Sequence, residues 1–161
     1  MVLRCTKKLL SVIGTVLISE AAPDVEDWYA NLLWFDRRKC LLLTHVSTLF
    51  TIFEADVSAS DLRSTGSFIS TLIMRELLSD GLPPDIFGPG SGEVVYAKTA
   101  DRSVLGCMND MAYMCEAAIA KSGSLRNTDL VALNRHLRRN INSARNYERP
   151  IDLTIRRLGA H

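Results

Sequence analysis

Histidine is scarce in this chain: only His45, His136 and His161 occur in 161 residues. Without a Gly-x-Ser-x-Gly elbow, that scarcity leaves little from which to assemble a nucleophile and its base. The four cysteines, Cys5, Cys40, Cys107 and Cys115, include no Cys-x-x-Cys pair and have no histidine at ligand spacing, so zinc is not expected and the metal assignment is none. Each falls in an apolar pattern, where a free thiol behaves as a small hydrophobe, and the expectation is a reduced, cytoplasmic protein without a cofactor. No apolar run is long enough to cross a bilayer, and no internal repeat or low-complexity tract occurs. Arg4, Lys7 and Lys8 ahead of Leu9 to Ile18 imitate a signal peptide. The run is nevertheless broken by Ser11, Gly14 and Thr15 and lacks an Ala-x-Ala site before Pro23, so it is read as structure.

Hydrophobic residues make up 47% and charged residues 23% of the chain, which is the composition of a globular domain, and the length fits one domain over residues 1–161. A tail from about residue 156 is expected to be loosely held. The net charge of +1 conceals an asymmetry: residues 1–120 hold ten Lys/Arg against fifteen Asp/Glu, and residues 121–161 hold nine against three. Basic charge is therefore concentrated at the C-terminal end.

Read in order, Val2 to Cys5 predicts a strand, Thr6 a cap for a helix over Lys7 to Ile13, and Gly14 its stop. Ser19 to Asp27, rich in Ala, Pro and acids, reads as an exposed connection. Trp28 to Phe35, Lys39 to Thr44 and Thr48 to Glu54 predict three antiparallel strands. The uninterrupted Leu41-Leu42-Leu43 indicates a central strand covered on both faces. Ser58 to Ser64 suggests a helical turn, Gly66-Ser67 a reset, and Phe68, Leu72, Ile73 and Leu77 one face of a helix ended by Gly81 and Pro83-Pro84. Pro84 to Gly92 reads as a mobile loop into a strand at Glu93 to Ala97. Gly88-Pro89-Gly90-Ser91-Gly92 lacks the Gly-Lys-Ser/Thr ending of a phosphate loop.

Most of the specific information sits in Lys98 to Met111, where strand hands over to a helix whose apolar face is Val104, Met108, Met111, Cys115 and Ile119. Asp101 or Thr99 can cap it. Lys98, Arg102 and Ser103 beside outward-facing first-turn amides and the positive end of the helix dipole suit an anion; the competing reading is a cap with local salt bridges. Farther on, Asn127 or Thr128 is expected to cap a helix with a buried stripe of Leu130, Leu133, Leu137 and Ile141. Arg135, Arg138, Arg139, Asn142 and Arg145 should then face solvent. Those arginines could track a phosphate backbone, or be neutralised by the protein's own acidic half. Trp28, Trp34 and Phe35 are read as core rather than as base-stacking residues. Pro150 is expected to end the element and Ile151 to Ile155 to form a last strand.

The chain resembles a bacterial family known only as the domain of unknown function numbered 6933. The resemblance rests on Arg4-Cys5-Thr6-Lys7-Lys8-Leu9-Leu10, on the Leu41 to Phe53 strands with Thr48-Leu49-Phe50, and on Lys98-Thr99-Ala100-Asp101-Arg102-Ser103-Val104-Leu105-Gly106 followed by Met108-Asn109-Asp110. The family pattern often has Asn where Asp101 stands, which still permits a cap. No activity comes with the resemblance. It implies one domain starting at Met1, and it implies that Thr6, Lys7, Lys98, Thr99, Arg102, Ser103, Asn109 and Asp110 share a neighbourhood.

The sequence thus predicts an α+β domain, an antiparallel meander packed against about three main helices around residues 68–78, 104–119 and 128–141. The expected function is a non-catalytic binding module for a phosphate-bearing ligand, RNA or a nucleotide, through Thr6, Lys7, Lys98, Thr99, Arg102, Ser103 and Asn109. Two alternatives stand beside it. One is a small nuclease or phosphodiesterase using His45 or Lys7 with Arg102. The other is an interaction subunit whose arginine helix, Arg135, Arg138, Arg139 and Arg145, meets an acidic protein.

Overall fold

A computed structural model describes residues 1–14, 16–89 and 93–160. Six strands run in the order β2-β6-β1-β3-β4-β5, with β1 at Val2–Cys5, β2 at Ile18–Ser19, β3 at Trp28–Phe35, β4 at Arg38–His45, β5 at Thr51–Glu54 and β6 at Val95–Lys98. The expected meander is real for β3, β4 and β5, which pair antiparallel. It is wrong for the other half: β2, β6, β1 and β3 are mutually parallel, so the sheet is mixed. Parallel neighbours cannot be joined by a tight turn. Val2–Cys5 and Val95–Lys98 carry no hairpin signal because each leaves the sheet through a helix.

The helices among the described residues number six, twice the expected count: α1 at Lys7–Ile13, α2 at Ala59–Arg63, α3 at Thr65–Ser79, α4 at Arg102–Ser122, α5 at Leu130–Arg139 and α6 at Pro150–Arg156. Two cores divide them. Leu3, Cys5, Trp28, Ala30, Leu32, Leu41, Leu43 and Ile52 face α1, α2, α3 and α6; Tyr29, Cys40, Leu42 and Phe53 face α4 and α5. Leu41, Leu42 and Leu43 are buried, as a strand sandwiched between helices requires. The hairpin between β3 and β4 turns on Asp36 and Arg37, both at positive φ, which matches the strand twist. No helix among the described residues is long and apolar enough to cross a membrane.

Several local expectations are corrected. Residues 151–155 lie in α6, not a strand: Pro150 opens the helix at its first position, where its missing N–H costs nothing. The 3-10 turn Arg157–Gly159 follows, and Arg157 grips Glu26 with its two terminal guanidinium nitrogens at 2.8 and 2.6 Å, so this turn is anchored at its first residue. α5 is capped by Asp129 rather than Asn127 or Thr128. Gly66 and Ser67 lie inside α3, where a Cβ on Gly66 would meet Val94 at 3.2 Å. β5 begins only at Thr51, because Leu49 turns the chain at φ 55°.

The largest correction concerns the arginine helix. Ile141 is 61% exposed, whereas Arg138 is fully buried beside Asn134. Both residues close the sheet edge. The Asn134 amide accepts from the Phe53 N–H at 2.7 Å and donates to the Phe53 carbonyl at 2.9 Å, taking the place of a next strand. Arg138 donates to the Thr51 carbonyl, to Asp80 at 2.5 Å and to Glu76 at 3.1 Å. A buried cation among leucines breaks the hydrophobic periodicity that separates core from surface, so sequence assigned it to solvent.

His45, which falls between the strands expected at Lys39 to Thr44 and Thr48 to Glu54, ends β4 and is fully buried between Trp28 and Phe87, with ring centroids at 5.1 and 4.4 Å. Burial pushes its pKa down from 6.5 to about 4, only partly opposed by the nearby Glu26 carboxylate. The unfolded chain therefore takes up a proton near pH 6.5 that the folded chain refuses until about pH 4. Stability should be full above pH 6.5, fall as pH drops through that window, and gain no further loss from His45 below it. A histidine ring-proton NMR titration should place His45 near pH 4; a midpoint near 6.5 would contradict its burial. Asn134→Ala should lower the stability read from urea unfolding by about 2–4 kcal/mol, because two backbone groups lose their partner; a change within about 0.5 kcal/mol would contradict the edge-closing role.

Candidate functional site

β1 and β6 are neighbours in register, Arg4 opposite Ala97 and Cys5 opposite Lys98, so the residues that follow them leave the sheet side by side. Thr6 turns out of β1: its N–H donates to the Ala30 carbonyl at 3.0 Å, its hydroxyl donates to the Asn31 side-chain carbonyl at 2.8 Å, and it caps α1. Beyond Lys98, Asp101 caps α4 by accepting from the Ser103 and Val104 amides at 2.8 and 3.4 Å. α1 buries Leu9 in the core that holds Leu3 and Cys5, while α4 buries Val104 and Met108 in the opposite one. Adjacent parallel strands therefore hand the chain to opposite faces, and the crevice outside their carboxyl ends is where open α/β sheets bind ligands.

Two buried groups set this rim. Arg4, in the middle of β1, meets Asp27 at 2.5 Å and donates to the Lys98 carbonyl at 3.0 Å and the Ala21 carbonyl at 2.9 Å. Asp27, expected in a solvated linker, is 3% exposed for this reason. The Tyr29 hydroxyl accepts the Ala100 and Asp101 amides at 3.2 and 2.8 Å, fixing the turn from β6 into α4. Sequence reasoning passed over both residues, although a lone arginine inside the apolar run of β1 signals a partner to be found.

Around the rim Lys7, Lys8, Lys98, Arg102 and Ser103 are exposed and Thr6 and Thr99 half-buried. None of the four cations forms an ion pair with a described residue, in contrast to Arg138, Arg139, Arg149, Arg156 and Arg157, which are all held by the protein's own acids. Arg145 donates to the Val46 and Ser47 carbonyls and Arg135 to that of Ser79. The basic C-terminal block is thus largely spent internally, and Arg138 cannot reach a nucleic acid at all. One part of the anion expectation also fails: the first-turn amides of Ser103 and Val104 already serve the Asp101 carboxylate. What remains at the rim is cationic side chains and hydroxyls.

Asn109 lies two turns along α4 on the Arg102 side, in a crevice of about 420 Å³. Lys8 of α1, the β3 residues Leu33, Trp34 and Phe35, and Tyr113 of α4 also line it, with Glu116 a turn farther on. β3 outruns β1 here, pairing with it only as far as Ala30 and continuing on β4 alone to Phe35. Trp34 is 48% and Tyr113 70% exposed, and the Lys39 ammonium stands 5.3 Å from the Trp34 ring centre. Trp34 is thus a surface aromatic rather than core, whereas Trp28 is buried as expected. Asp110 is exposed on the neighbouring face of α4.

His45 pairs with Trp28 at the start of β3, level with the start of β1 and so at the opposite end of the strands from Lys7 and Arg102, and it cannot act with them. Of the glycine-rich stretch weighed as a phosphate loop, Gly90, Ser91 and Gly92 lie outside the described residues, as does His161. Among the described residues no group of three His, Cys, Asp or Glu is placed to hold a metal ion.

No curated protein and no solved structure matches this chain. A family description does match, over residues 2–153 of the 161, and these include the rim, both of the groups beneath it and the crevice. The chain belongs to the family defined by the domain of unknown function 6933 (DUF6933).

Proposed function

We propose that the protein is a non-catalytic binding module that holds a phosphate-bearing ligand, a nucleotide or a short stretch of RNA, at the crevice between α1 and α4. The observation that carries this reading is the convergence of Lys7, Lys8, Lys98 and Arg102, none of them in an ion pair with a described residue, where β1 and β6 deliver their helices to opposite faces. Unpaired cations at one rim attract phosphate through charge, and the Thr6, Thr99 and Ser103 hydroxyls supply short-range partners. The neighbouring crevice suits the rest of such a ligand. Trp34 and Tyr113 offer ring faces for a base, and Asn109 and Glu116 offer edge hydrogen bonds.

Binding is favoured over phosphodiester hydrolysis because neither described histidine stands at this rim to serve as a general base: His45 is buried at the opposite end of the strands and His136 lies on α5. Recognition of an acidic protein through the arginine helix is disfavoured by the internal ion pairs of that helix. The four free, buried cysteines support a reducing, cytoplasmic setting.

Trp34 gives a direct reporter. Titration with AMP and a five-nucleotide RNA should quench its emission, isothermal titration should register pyrophosphate as well, and the affinities should fall with added salt. Arg102→Ala and Lys98→Ala should each weaken binding about three- to tenfold, and Trp34→Leu, followed by isothermal titration because it removes the reporter, should weaken the RNA and AMP but spare pyrophosphate. Absence of any binder in this set, or binding indifferent to Arg102 and Lys98, would reject the reading.

A further inference from the structure

A second concavity, about 710 Å³, lies at the other end of the parallel strands, between α3, the 84–89 segment and the entry to β6. Its chemistry is opposite to that of the cationic rim. Trp28, Met74 and Phe87 contribute apolar walls, Ser70 presents a hydroxyl, and the exposed carboxylates Asp85 and Glu93 also line it. No lysine or arginine does so among the described residues. The Met1 ammonium, the one cation among the described lining residues, donates to the Glu93 carbonyl at 3.2 Å. Neither Asp85 nor Glu93 forms an ion pair with a described residue.

The wall is assembled in advance. Phe87, in a segment that the sequence marked as mobile, meets Trp28 edge-on at 5.2 Å and Phe50 at 5.6 Å, and its ring is covered by the Arg157 guanidinium at 5.3 Å. Arg157 also donates to the Ile86 carbonyl while gripping Glu26, so the C-terminal turn fixes this side of the cavity. A cavity of this volume, apolar with a few convergent polar groups, has the dimensions of a small-molecule site rather than a protein interface.

We propose that this cavity binds a small organic cation, an amine carried on an aromatic or alicyclic body of roughly 10–20 non-hydrogen atoms. The body packs against Phe87 and Met74, and the ammonium lies toward Asp85 and Glu93, whose carboxylates attract positive charge. This site is independent of the phosphate reading: it shares no residue with the rim, and either can fail alone.

Isothermal titration of the full chain with the matched pair 1-naphthylmethylamine and 1-naphthoate tests it. The amine should bind saturably at one site and at least tenfold more tightly than the acid. The double variant Asp85→Asn/Glu93→Gln should remove most of that preference, and Ser70→Phe, which fills the cavity, should abolish amine binding. The double variant alters only exposed side chains, so it decides the matter even where Ser70→Phe disturbs the fold. Equal binding of amine and acid, undiminished amine binding in either variant, or no heat at millimolar amine would overturn the proposal.

Discussion

A guanidinium buried in the middle of a parallel strand cannot be left unsatisfied, and the Arg4 side chain governs the half of the molecule that carries the rim. A charge in this position must be matched by an acid and by carbonyls, since an unpaired buried ion is far costlier than any local packing gain. Asp27 provides the acid, which brings the start of β3 beside β1. The Ala21 carbonyl provides another contact, drawing the connection after β2 over the strand face. The Lys98 carbonyl provides the last, fixing the end of β6 level with Cys5. Satisfying one side chain therefore sets the point at which α1 and α4 diverge.

The antiparallel half solves a different problem. β5 is an edge, and an exposed edge invites pairing with other chains. Asn134 and Arg138 cover it by reproducing strand hydrogen bonds with side chains, and Arg138 gathers Glu76 of α3 and Asp80 at its C-cap at the same time. Charge that looks like a binding surface in the sequence is thus consumed in closing the fold. The cations left without ion partners near the parallel half gain their significance from that contrast.

Much of the local structure was legible. Val2–Cys5 and Trp28–Phe35 were readable from β-branched and aromatic content, α1 from Thr6 and Gly14, and α4 from Asp101 and its apolar stripe. Strand direction was not, because both partners of Val2–Cys5 are distant, β3 beyond an intervening helix and short strand and β6 more than ninety residues away, and nothing local encodes either pairing. Arg138, Asp27 and His45 were misplaced for one shared reason: each is a polar group whose burial depends on a distant partner or on aromatic neighbours from other elements. At the rim, the shared neighbourhood of Thr6 and Lys98 was implied by the family resemblance alone, and the register that pairs Cys5 with Lys98 was not legible; the crevice formed by Lys8, Trp34 and Tyr113 likewise depends on β3 outrunning β1, which only the register reveals.

The two concavities lie beyond opposite ends of the same parallel strands and differ in sign, cationic beyond Cys5 and Lys98, anionic beside Glu93. The claim on which the functional account turns is that a phosphate group seats beyond the carboxyl ends of β1 and β6. Amide chemical-shift mapping with AMP tests it most directly. The account predicts perturbations concentrated at residues 6–8, 98–103 and 109–113, with α5 and α6 unmoved; a response centred on the α5 arginines, or spread evenly over the surface, would contradict it.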